Sequence, residues 1–101
     1  MKFPNIDIDE NLIISLAKKY RIQELAFFGS ILRDDFNDQS DIDILVKFID
    51  GNDYSLFDLF EIKEEFEKIL GKEVDLVEKD GLRNPYRREN IIKNAKVIYA
   101  A

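Results

Sequence analysis

Two short stretches carry residue types that can do chemistry together. Gly29-Ser30 follows Ile22-Gln-Glu-Leu-Ala-Phe-Phe28, a run with β-strand character. Ten residues later, Asp41-Ile42-Asp43 opens a second apolar run, Ile44 to Phe48. Glycine permits a tight exit from a strand and lets a ligand approach the backbone closely. Ser30 adds a hydroxyl at the start of a short helix, where unpaired N–H groups attract phosphate. Side chains two apart in a strand point the same way, so Asp41 and Asp43 offer two carboxylates side by side. Hard divalent cations such as Mg²⁺ bind such oxygens and complete their shell with phosphate oxygens. A phosphate cradle and a metal clamp together indicate a nucleoside triphosphate site.

The elements that must position these groups follow from local patterns. Asp9 caps a helix to about Tyr20, with Leu12, Ile13 and Leu16 on one face. After the strand to Phe28 and the short helix comes a loop, Asp34 to Gln39, rich in Asp and Asn. The second strand is Ile42 to Ile49, and Asp50-Gly51-Asn52-Asp53 is a turn. Ser55 caps a long helix to about Leu70, which Gly71 stops. Its apolar stripe joins Leu56, Leu59, Phe60, Phe66, Ile69 and Leu70; Phe57 and Ile62 fall off it, widening the core face or meeting a partner. Val74 to Val77 is a third strand carrying Asp75, and Asn84-Pro85 predicts a helix from Pro85 to about Ala95. Val97 to Tyr99 is a fourth strand or an extended tail. This order describes an α/β sandwich around a small mixed sheet.

Another Asp-x-Asp, Asp7-Ile8-Asp9, lacks the Gly-Ser upstream and precedes a helix, so it reads as capping. Arg33 contacts phosphate or ties the Asp-rich loop by a salt bridge. Leu82-Arg-Asn-Pro-Tyr-Arg-Arg88, with Lys93 and Lys96, is the one basic region, a solvated face or a hold on an acidic partner or nucleotide.

At 101 residues the chain is read as a single domain, 1–101, with enough apolar residues (46%) for one small core. A net charge of −6 argues against a sequence-independent grip on nucleic acid. Without Cys there are no disulfides, which fits a reducing cytoplasm. Without His there is no His-based triad and no His-Glu-x-x-His zinc site. The chemistry therefore rests on carboxylates, hydroxyls, Lys, Arg and a metal. No run is long or apolar enough to span a membrane, and the amino terminus lacks the apolar centre of a signal peptide.

The stretch from Phe28 to Asp43 resembles the signature of the polymerase-β-like nucleotidyltransferases: Gly-Ser, ten residues, Asp-x-Asp. It is most similar to their minimal, single-domain branch, in Gly29-Ser30-Ile31-Leu32-Arg33 and Ser40-Asp41-Ile42-Asp43. By chance the four fixed positions would coincide in about one chain in 500 of this length. Asp34 stands where the family often has Gly, a departure in the loop and not at a catalytic position.

The resemblance implies the polymerase-β-like fold over nearly the whole chain. It also implies a third carboxylate on the strand after the long helix, where Asp75 is the match, with Glu73 and Glu78 nearby. Asp41, Asp43 and Asp75 would then be the catalytic, metal-binding set and hold two Mg²⁺ ions, with Asp75 the candidate base. Gly29 and Ser30 would bind the triphosphate of ATP. Minimal members are commonly paired with a HEPN-domain ribonuclease toxin, which they silence by adenylylating a tyrosine. The implied function is thus a cytoplasmic antitoxin that transfers AMP to its partner. Nucleotidylation of a small molecule, or a non-catalytic module that inhibits by contact, are the alternatives.

Overall fold

The computed structural model describes residues 2–4 and 6–101. A two-stranded hairpin, β1 (Lys2–Phe3) and β2 (Ile6–Asp7), precedes helix α1 (Glu10–Lys19). Strand β3 (Ile22–Phe28) runs into a 3-10 turn, Gly29–Leu32, and β4 (Ile42–Phe48) follows. Helix α2 (Leu56–Leu70) leads to β5 (Val74–Glu78), and helix α3 (Pro85–Asn94) to β6 (Lys96–Ala100).

The helix ends are encoded locally. Asp9 Oδ1 accepts from Asn11 N at 3.0 Å, opening α1. At α2, Ser55 Oγ accepts from Asp58 N at 3.2 Å while Asp58 Oδ2 accepts from Ser55 N at 2.9 Å, a reciprocal capping box. Gly71 ends the helix with φ at +68°, a backbone state that glycine adopts without strain. Asn84 Oδ1 accepts from Tyr86 N and Arg87 N, with Pro85 in the first turn of α3.

The main sheet has the order β5-β4-β3-β6, parallel between β4 and β5 and antiparallel elsewhere. Its two faces bury different elements, because side chains alternate along each strand. Leu25 and Phe27 of β3, with Ile42, Ile44 and Val46 of β4, join Ile13, Leu16 and Ala17 of α1 and Ile62 and Phe66 of α2. On the other face Ala26, Phe28 and Leu45 meet Ile91 of α3 and Leu82. The sheet therefore lies between α1 and α2 on one side and α3 on the other.

Several expectations are corrected. Leu12 is exposed, and Ala17 takes its place beside Ile13 and Leu16 in the face that α1 buries. In α2, Ile62 lies at the centre of the core, whereas Leu56 and Phe60 point into solvent. The helix is apolar on several sides, so periodicity alone does not select the buried stripe; contact with the sheet does. The second strand stops at Phe48, one residue early. Of the two readings of the carboxy-terminal segment the strand holds: Lys96–Ala100 pairs antiparallel with β3.

Candidate active site

The site forms where β3 ends and β4 and β5 begin. In the antiparallel pair β3–β4, Phe28 lies opposite Asp43; in the parallel pair β4–β5, Asp43 lies beside Asp75. Cross-strand partners point to the same face, so Phe28, Asp43 and Asp75 form one row across three neighbouring strands. Asp41 sits one residue before β4, exposed, beside the point where Ile42 N donates to Glu73 O at 2.9 Å.

Gly29 follows Phe28 directly and takes φ +76°. A Cβ built there would collide with Asp43 Oδ2. Glycine is required twice over: by the left-handed backbone and by the carboxylate packed on its bare Cα. The Gly-Ser and Asp-x-Asp halves of the motif are in direct contact through this pair.

Burial pushes the Asp43 carboxyl above its ordinary value; the charges of Asp75 and then Asp41 push it further, against the opposing pull of Arg33. Crowded anions of this kind favour a proton or a cation among them. Among the described residues, no three acidic side chains are gathered closely enough to hold a metal ion as they stand. The donors nonetheless fit one, being hard carboxylate oxygens that mutual repulsion leaves short of positive charge. Asp41, Asp43 and Asp75 are the residues that would hold Mg²⁺.

Arg33 ties the loop: its Nε donates to Asp35 Oδ1 at 3.1 Å. The loop itself is fastened by Asn37, whose Oδ1 accepts from Gln39 N at 2.8 Å, and by the buried ring of Phe36 beneath Lys72. Of the basic tail, Arg88 donates to the carbonyl of Lys79 at 2.7 Å and Lys96 lies 5.2 Å from the centre of the Phe3 ring. These two serve the fold. Asp9 caps α1, as expected from its place before a helix.

A cavity of about 510 Å³ adjoins Gly29, lined by Phe28, Leu32, Arg33, Asn90, Ile91 and Asn94. Asn94 Nδ2 donates to Asn90 Oδ1 and to the Asn90 carbonyl, each at 2.9 Å, which ties the two side chains together. Neither asparagine is distinguished in the sequence: they lie four apart on a polar helix, and only folding brings them to the Gly-Ser turn.

The sequence pattern of the nucleotidyltransferase domain matches residues 10–98. A candidate protein adenylyltransferase of Methanocaldococcus jannaschii is 42% identical over 76 residues, covering 75% of this chain and 76% of that one. The solved structure of a candidate minimal nucleotidyltransferase superposes with a TM-score of 0.71 at 32% identity, over 85% of each chain. A complex of tri-AMPylated Shewanella oneidensis HEPN toxin with MNT antitoxin superposes with a TM-score of 0.67, over 91% of this chain and 70% of that one. At 23% identity that last likeness is one of fold.

Proposed function

The chain belongs to the nucleotidyltransferase domain family, and from that premise we propose that it transfers AMP from ATP to a tyrosine hydroxyl of a HEPN-domain toxin, acting as its antitoxin in the cytoplasm. The observation that carries this reading is the row Asp75–Asp43 across β5 and β4, with Asp43 packed against Gly29. Relatives named as candidate protein adenylyltransferases, and the likeness of fold to an MNT antitoxin complex, support the choice of nucleotide and partner.

Asp41, Asp43 and Asp75 would hold two Mg²⁺ ions. When bound, these neutralise the triphosphate and ease ionisation of the attacking hydroxyl. The Gly29 N–H and the Ser30 hydroxyl hold the β- and γ-phosphates by donating to their oxygens. Asp75, exposed on an edge strand, faces the acceptor and takes the hydroxyl proton. The acceptor oxygen forms a bond to the α-phosphorus, the α–β bridging P–O bond breaks, and pyrophosphate leaves. Charge balances throughout, since the departing pyrophosphate carries off the electron pair of the broken bond.

Intact-mass spectrometry of the toxin, coexpressed with wild type or with Asp75→Asn, tests the proposal. One or more AMP increments with wild type, on tyrosine by fragmentation, and none with the variant are expected. A toxin that stays unmodified yet is neutralised by wild type would replace transfer by inhibition through contact.

A further inference from the structure

Helix α2 is anchored to the sheet by Ile62 and Phe66, with Leu59, Ile69 and Leu70 packed alongside. Its first two turns carry apolar side chains that this packing does not use. Phe57 is 86% exposed, Leu56 69% and Phe60 55%. Scattered surface apolar residues are ordinary, but large adjacent ones on one helix end mark an interaction surface.

Leu56 and Phe60 border a groove of about 230 Å³ between α2 and β5, lined also by Leu59, Lys63, Leu76, Asp75 and Glu78, and Phe57 stands on the adjoining helix face. β5 is the edge of the sheet, so among the described residues no further strand covers this flank. Asp75 borders this groove and also stands in the row with Asp43 on the sheet face away from α2, so the β5 edge joins the groove to the candidate active site.

The charges around it select the occupant. Glu61 and Glu64, four and seven positions after Phe57, continue the same outward helix face and are exposed. Asp75 and Glu78 line the other side, and Lys63 is the one cation among the groove's lining residues. A second copy, with its own net charge of −6, would set like charges against each other. Nucleic acid would bring phosphates to carboxylates.

We propose that this groove docks the acceptor: a partner protein seats an apolar side chain between α2 and β5, flanks it with Lys or Arg facing Glu61, Glu64 and Glu78, and presents its hydroxyl to Asp75 around the β5 edge. The inference rests on the proposed transfer to a protein hydroxyl. It assigns to Phe57 and Phe60 a role in acceptor binding and none in nucleotide binding.

The probe is the HEPN-domain acceptor, with Phe57→Ser and Phe60→Ser as separate variants. Both positions are exposed, and serine and phenylalanine have similar helix propensities, so the fold survives. Central aromatic anchors of an interface dominate its affinity, so Kd for the acceptor should rise about 30-fold in each variant. KM for the acceptor should rise with it, while kcat and Mg-ATP affinity stay within about twofold. Hydrogen exchange of the wild-type complex should protect residues 56–64. Variants that bind and modify the acceptor like wild type, or protection confined to other elements, would overturn this inference and leave the proposed transfer standing. A wild-type chain that neither binds nor modifies the acceptor would sink the proposed function, and this docking site with it. Sedimentation of the chain alone should give a monomer; a dimer abolished by Phe57→Ser would overturn the proposal by giving the face to a second copy.

Discussion

The tripeptide Asp-Ile-Asp occurs at 7–9 and again at 41–43. In both copies the isoleucine is buried, Ile8 at 5% and Ile42 at 0% exposure, so each sets an aspartate on either side of a core anchor. The surroundings then diverge. Asp9 turns to the first backbone N–H groups of α1. Asp43 enters the second strand of a four-stranded sheet, beside Asp75 and over the bare Cα of Gly29. Spacing within one stretch fixes only the relative direction of two carboxylates. A neighbouring strand in the right register is what makes that pair a candidate site.

The largest contrast should come from removing charge at each copy. Asp43→Asn should lower AMP transfer by at least about 1,000-fold, since several kcal/mol of charge stabilisation depend on the ligand set. The double variant Asp7→Ala, Asp9→Ala should transfer AMP within about twofold of wild type. Circular dichroism and a transfer assay with labelled ATP measure both; a folded but inactive double variant would reverse the assignment of the two copies.

Gly29 and Gly71 sharpen the comparison, because both have positive φ, +76° and +68°, in different surroundings. An added Cβ meets Asp43 at Gly29 and nothing within 4 Å at Gly71. Gly29→Ala should therefore displace Asp43 and cost about 100-fold in transfer rate. Gly71→Ala should cost about 1–2 kcal/mol of stability through backbone strain and leave the rate unchanged. Equal rate losses in the two variants would show that backbone strain, rather than the carboxylate contact, governs both.

A smaller effect is expected at the cap. Asp9→Ala removes the acceptor for Asn11 N and should cost about 1 kcal/mol, or roughly 4–8 °C in Tm for a domain of this size. Calorimetry decides it, and an unchanged Tm would mean that solvent caps α1 equally well.

The smallest effect is the pH dependence of Asp43 without metal. Its carboxyl is raised above the ordinary 3.8 by burial, by Asp75 and by Asp41, against Arg33. In chelator the folded chain therefore binds this proton more tightly than the unfolded chain. Its contribution to stability falls as pH rises through the interval between those two values, and stays unfavourable above it. Asp43→Asn should accordingly be at least as stable as wild type at neutral pH, with an advantage that fades as pH drops through that interval. Denaturant titrations at neutral and acidic pH follow the difference, and an advantage that grows on acidification would mean that a cation holds Asp43.

By itself the sequence determined the features whose physics is local. Gly29, Ser30, Asp41 and Asp43 are legible because a strand, a turn and a strand in one continuous stretch fix which way they face. The caps at Asp9, Ser55 and Asn84 are legible because each acceptor serves N–H groups two or three residues on. Tertiary structure decided everything that depends on what lies opposite. The carboxylate of Asp75 joins Asp43 only through the register of a parallel pair formed across an intervening helix. Asn90 and Asn94 reach the Gly-Ser turn only when α3 packs on the sheet. In α2, Ile62 went inward and Phe60 outward although both are apolar, because a helix with apolar residues on several sides buries whichever stripe the sheet can fill. The two-residue strands β1 and β2 are too short to carry a periodic signal and exist through their pairing with each other. Turns and caps are settled by neighbours along the chain, whereas register and buried face are settled by surfaces that meet only after folding.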